Sequence, residues 1–196
     1  MSTQYSELQL DALRELANIG SGTASTALST MLGRSVDISV PTARVLSFAD
    51  AVDAAGPGEQ EMTGIVLGIT GDMTGTVLLL IPPADADAMC RMLGVEPTDD
   101  IALSALGEIG NIVGTSYINA LASMTGMHIE PTPPATATDM LGAIVETVLA
   151  GHAFSGDAAL MLDSNLLVEG EDCSISFLLV PDAGGIEMLL SRLGLG

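Results

Sequence analysis

The stretch DALRELANIGSGTASTALSTMLGRSVDISVP, residues Asp11–Pro41, recurs as SALGEIGNIVGTSYINALASMTGMHIEPTPP, residues Ser104–Pro134. The two align without a gap at an offset of 93, and 10 of the 31 positions are identical. Ala12 and Ala105, Leu13 and Leu106, Glu15 and Glu108, Asn18 and Asn111, and Pro41 and Pro134 are among them. Similarity at a fixed offset means one structural unit used twice. It continues more loosely downstream, where Thr76–Gly94 (TVLLLIPPADADAMCRMLG) matches Ser176–Gly194 (SFLLVPDAGGIEMLLSRLG). Each of these reads as an apolar strand, a proline and a short helix stopped by Leu-Gly.

Working outward, the chain is one domain, residues 1–196, built from two repeats at about 7–94 and 100–194. The first repeat reads as a long helix over 7–32, strands at 35–40, 44–49, 62–70 and 74–81, and a short helix at 84–93. The second reads as a long helix over 101–125, strands at 127–131, 140–149, 157–163 and 173–180, and a short helix at 184–193. Gly71–Asp72 and Gly156–Asp157 carry turn chemistry. Asp53–Glu61 and Pro131–Asp139 read as polar, proline-bearing loops. Antiparallel strands with helices packed on them make an α+β fold. The repeat makes it a pseudo-two-fold duplication, with two helix–strands–helix halves sharing one sheet.

The repeated helix has two faces. Asp11, Glu15 and Asn18 stand at i, i+4 and i+7, which keeps them within about 60° of one another. Leu13, Leu16, Ala17, Ala24, Ala27, Leu28 and Met31 line the other side and are expected to face a core. The second helix repeats the plan, with Ser104, Glu108 and Asn111 outward and Leu106, Ile109, Val113, Ile118 and Leu121 inward. Solvated polar residues on an amphipathic helix are the ordinary explanation for either face alone. Two points argue for more. Asparagine is a poor helix former, yet it recurs in mid-helix in both copies. The outward residues also repeat where neighbouring residues diverge, which mere solvation does not require.

The composition excludes other classes. There are 25 acidic and 5 basic residues among 196, all five basic ones arginine, for a net charge of −20. Such a chain lacks the basic footprint needed to bind nucleic acid or an anionic membrane surface. Acidity without lysine fits a high-salt cytoplasm, and equally an ordinary acidic protein of a GC-rich genome. The apolar fraction of 48 % is enough for a core. Cys90 and Cys173 form no disulfide framework, and His128 and His152 each stand alone. The start, MSTQYSELQL, has no signal-peptide pattern, and the longest strongly apolar run, near Thr76–Ile81, falls far short of a membrane span. A cytoplasmic protein is expected.

The spacing of the outward residues is Asp or Ser, three residues, Glu, two residues, Asn, twenty-two residues, Pro. It occurs as Asp11, Glu15, Asn18, Pro41 and again as Ser104, Glu108, Asn111, Pro134. This resembles the motif of the CheC/CheX/FliY family of CheY-phosphate phosphatases. The words ELANIGSGTASTALS and LGEIGNIVGTSYINAL are similar to that family too, and the resemblance spans essentially the whole chain in the two-motif, CheC-type layout. It implies a CheC-like fold, phosphorylated CheY as substrate and hydrolysis of its aspartyl phosphate. It also implies Mg²⁺ supplied by the CheY partner, no cofactor bound by this chain, and a monomer with internal pseudo-symmetry. Asn18 and Asn111 would orient the water, and Glu15 and Glu108 would dock on a lysine of the regulator. Asp11 and Ser104 would add polar contacts at the rim. Pro41 and Pro134 would shape the chain beside the site. The family also suggests CheD, the receptor deamidase, as a partner, and a binding module for CheD with weak or no catalysis is the competing reading.

An acyl phosphate is already reactive, so positioning a water in line is most of the work. An amide suits this, since its carbonyl accepts from water, its NH₂ donates, and it does not titrate. Other chemistry finds less support. No pair of the 25 acids stands out as a glycosidase pair. Gly20-Ser21-Gly22 lacks the lysine of a phosphate loop and lies inside a helix. No nucleophile-elbow motif is present.

Overall fold

Helix α1 (Glu7–Leu32) starts where a capping box closes its first turn. The Ser6 hydroxyl accepts from the Gln9 N–H at 3.3 Å, and the Gln9 side chain accepts from the Ser6 N–H at 2.8 Å. It stops at Gly33, whose φ of 64° is the left-handed conformation that glycine adopts without strain. The computed structural model describes residues 5–151, 158–168 and 170–196. After α1 come β1 (Val36–Leu46), α2 (Phe48–Ala55), β2 (Glu61–Gly71), β3 (Gly75–Ile81) and α3 (Pro83–Met92). The second half holds α4 (Ala102–Thr125), β4 (Ile129–Pro131), β5 (Ala135–Met140), α5 (Leu141–Gly151), β6 (Ala159–Val168), β7 (Glu171–Pro181) and α6 (Gly185–Arg192).

The strands form one antiparallel sheet in the order β1-β6-β7-β3-β2-β4, with β5 also pairing along β2. The two halves are interleaved. β1 leaves its own repeat to pair with β6, and β4 and β5 leave theirs to pair with β2. The pseudo-two-fold passes between β3 and β7, where Leu78 faces Leu178. Each repeat therefore completes the sheet of the other. The α+β duplication expected from the repeat is what the chain forms.

Both faces of the sheet are covered, so β3 is buried along its whole length. Successive side chains point to opposite faces. Val77, Leu79 and Ile81 join a core with α1, α3, α4 and α6, while Leu78 and Leu80 join a second core with α2 and α5.

Several local expectations need correction. The segment read as a strand at 140–149 is helix α5. Its Ile and Val residues favour a strand, but Leu141, Ile144, Val145 and Val148 recur at helical spacing and are buried together in the second core. Residues 48–55, read as a strand end up to 49 and as a loop from 53, form α2, capped by Ser47 accepting from the Asp50 N–H at 3.1 Å. Phe48 and Ala51 seat it. The loop expected at Pro131–Asp139 contains β5, extended because it pairs with β2. The strands read at 35–40 and 44–49 are one strand, β1, with a register shift between Ser39 and Thr42. The turn expected at Gly156–Asp157 lies outside the described residues. Within α1, Ala27 is half-buried and Met31 is exposed at the helix end, whereas the other expected core residues are buried.

Candidate functional site

The first motif copy sits on the outer face of α1. Leu13, Leu16, Ala17, Gly20, Ser21, Ala24 and Leu28 bury the opposite face, so Asp11, Glu15 and Asn18 are left exposed in one line. Asp11 accepts a hydrogen bond from Arg14 Nη1 at 2.5 Å, and both side chains are solvent-facing. Such a pair adds little stability, but it puts a guanidinium beside the motif. The Ser21 hydroxyl donates to the Asn18 carbonyl at 2.9 Å, spending its polarity on the backbone and leaving the Asn18 amide outward.

The second copy sits on α4. Ser104 and Glu108 are exposed and Asn111 is half-buried. Thr115 Oγ1 donates to Asn111 Oδ1 over a long 3.5 Å, one helical turn on. Ser104, Glu108 and Pro134 line a common groove of about 330 Å³ with Leu103, Gly107 and Thr136. Gly107 keeps that groove tight, because a Cβ there would come within 2.8 Å of Thr136 Oγ1. Asn111 is not among the groove's lining residues. Pro41 falls at the register shift of β1, and Pro134 falls between β4 and β5, so a proline marks the same interruption in both halves.

The helices carrying the two copies pack against each other. Gly20 of α1 lies under the Tyr117 ring of α4, where a Cβ would meet Tyr117 Cδ1 at 2.5 Å. Tyr117 in turn stacks, tilted by 37°, on Phe177 at 4.5 Å between ring centroids. Burial pushes the Tyr117 phenol up, an effect opposed by its hydrogen bond with Ser164. Both motif helices are thus fixed to one rigid core.

Among the described residues, no group of three or more His, Cys, Asp and Glu side chains is placed to hold a metal ion. Cys90 and Cys173 are buried free thiols. Burial, followed by Asp85, Asp172 and Glu171, pushes the Cys173 thiol up to about 11, which makes it a poor nucleophile near neutrality. His128 is exposed, and His152 lies outside the described residues. A larger hollow, about 430 Å³, holds the carboxylates of Glu61, Asp87, Asp99 and Asp100 and none of the motif residues. Among the described residues no helix is long and apolar enough to cross a membrane.

Sequence reasoning missed Arg14 and the groove residues Leu103 and Thr136. The offset of 93 offered a signal. Arg14 aligns with Gly107 and Gly22 with Thr115, so the surroundings of the copies differ where their motifs agree.

CheY-P phosphatase CheC of Bacillus subtilis (strain 168) is 33 % identical over 96 % of this chain and 95 % of its own length. The chain belongs to the CheC-like family. The family's pattern matches residues 8–44 and 101–137, two spans that are themselves 93 residues apart and each contain one motif copy. The fold is that of Thermotoga maritima FliY, with a TM-score of 0.76 at 21 % identity over 98 % of each chain. It is similar as well to a structure of the CheX-CheY-BeF3-Mg+2 complex of Borrelia burgdorferi, with a TM-score of 0.51 at 17 % identity over 85 % of this chain and 97 % of that one. At these identities the two structures speak to fold alone.

Proposed function

We propose that this CheC-like chain is a phosphatase of phosphorylated CheY. The observation that carries this is the duplicated Glu-x-x-Asn face, turned outward on two helices whose other faces are buried in one core. A protein substrate needs such an outward face, because its phosphoaspartate must be reached from outside.

Glu15 or Glu108 engages a cation beside the partner's phosphoaspartate, giving a charge-assisted contact that sets the approach. The asparagine one turn on, Asn18 or Asn111, then accepts a hydrogen bond from a water and holds it in line with the scissile bond. The water oxygen bonds to phosphorus and the bond from phosphorus to the aspartyl oxygen breaks. The aspartate leaves as carboxylate, and the water's proton passes to the phosphate or to solvent. The partner would supply the Mg²⁺, and the chemistry it would add is neutralisation of charge on the phosphoryl group. Holding a water in place is entropic work, and a fixed amide does it without an ionisation of its own. Asp11 and Ser104 frame the rim. CheD is the second partner in this reading.

The test is the lifetime of phosphorylated CheY from the same organism with and without the chain, read as released inorganic phosphate. The chain shortens it in this account. Its charge of −20 repels an anionic phosphorylated surface, so the acceleration increases with ionic strength. A lifetime unchanged by the chain, with and without CheD, rejects the proposal and leaves binding as the function.

A further inference from the structure

Leu8 and Ile101 are the most exposed large apolar side chains among the described residues, at 64 % and 59 %. They are one position of the repeat, since 8 + 93 = 101. Each stands three residues before Asp11 or Ser104, seven before Glu15 or Glu108, and ten before Asn18 or Asn111. At about 100° per residue those offsets stay within about 80° of one another, so each apolar side chain continues the line of its motif. Ile101 is the N-cap of α4, and its backbone is already helical at φ −91° and ψ −4°, so the line holds there too. At about 1.5 Å per residue, the apolar side chain lies about 10 Å from the glutamate and about 15 Å from the asparagine along the axis.

A single exposed leucine is unremarkable. The same exposure at the same position of both copies, in line with the polar motif, is different. Neither residue belongs to the buried core that these helices share or to the half-buried residues packed on it. Resting on the phosphatase reading, we propose that Leu8 and Ile101 are the apolar docking contacts, one at each copy, for the phosphorylated receiver protein whose acyl phosphate meets the water held by Asn18 or Asn111. The partner surface that fits is a protein face with a cation opposite the glutamate and an apolar patch about 10 Å further on. No small acyl phosphate spans that distance, so the pair selects a protein substrate. The net charge of −20 works against affinity for a phosphoprotein, and desolvated apolar contact adds to the glutamate–cation contact in opposing it.

The experiment compares the full chain with the double variant Leu8→Ala/Ile101→Ala. The readouts are steady-state hydrolysis of phosphorylated CheY and titration of beryllofluoride-activated CheY. The expected result is a KM and a Kd each raised about 10-fold with kcat unchanged, the signature of lost uniform binding. Leu8→Met/Ile101→Met restores both. An unfolding midpoint equal to the parent's shows that the change is not structural. Unchanged KM and Kd in the alanine variant overturn the inference while leaving the phosphatase reading intact. A chain that binds activated CheY without hydrolysing its phosphate removes that reading, and the Kd ratio then decides the docking role. A chain that does neither overturns both. A parent that self-associates and a variant that does not, with equal Kd, makes the pair a contact between copies of this chain and overturns the inference.

Discussion

Helices α1 and α4 carry the same motif and are supported differently. α4 lies directly on the sheet. Gly107, Gly110 and Gly114 recur along one face, and a Cβ at Gly110 or Gly114 would meet Ile65 at 2.5 Å or Leu67 at 3.0 Å. Its backbone has therefore come down on β2 where side chains would hold it away. α1 has Arg14, Ala17 and Ser21 at those positions. It packs against β1 and α4, and its Gly20 lies tight under Tyr117 while its Gly22 has open space. The consequence reaches the motifs. On the deeply seated helix Asn111 is half-buried and tied to Thr115, whereas on the peripheral helix Asn18 is exposed, with Arg14 nearby. A duplication can keep its polar face while its two supports diverge, because face and support lie on opposite sides of the helix.

Breaking the shared support has the largest effect. Tyr117→Ala removes a ring packed against both Phe177 and Gly20, and about 3–5 kcal/mol of stability is expected to go in denaturant unfolding. Adding Gly20→Ala to that variant costs less than it does alone, because its methyl fills the vacated space. A purely additive pair would show that α1 does not rest on the ring.

Gly110→Val tests the seating of α4. Its side chain must displace Ile65, so a loss of about 1–3 kcal/mol is expected. Ala17→Val, the matching change in α1, is expected to cost less, because α1 already carries a Cβ at that position. Equal costs would erase the distinction between the helices.

A subtler change is Thr115→Val, which removes the donor to Asn111. The bond is long, so hydrolysis at the second copy is expected to fall only about two- to threefold. Measured in an Asn18→Ala background, the drop is visible; in an Asn111→Ala background the same substitution changes nothing.

Much of this architecture was legible because the two copies of the repeat align without a gap. The long helices, β2, β3, β7 and the short helices α3 and α6 carry strong periodicity with clear stops. Helices α2 and α5 did not: the short, aspartate-bearing α2 reads as a strand end running into a loop, and α5, rich in apolar and β-branched residues, reads equally well as strand until the second core is known. The exchange of β1 with β4 and β5 was also hidden. Pairing partners are set by long-range burial, and nothing local in Val36–Leu46 names β6. At the candidate site, the outward line of motif residues follows from helical spacing. The Asp11–Arg14 pair, the Thr115 contact and the groove under Pro134 depend on rotamers and on the approach of β5, which spacing does not report.

The most direct test compares phosphorylated-CheY decay under the parent chain, Asn18→Ala, Asn111→Ala and the double variant, at low and multimolar salt. The account predicts partial activity in each single variant, with partial rates that sum to the parent's, and none above spontaneous decay in the double. A double variant as active as the parent would contradict it, since the water would then be positioned by something other than the two amides.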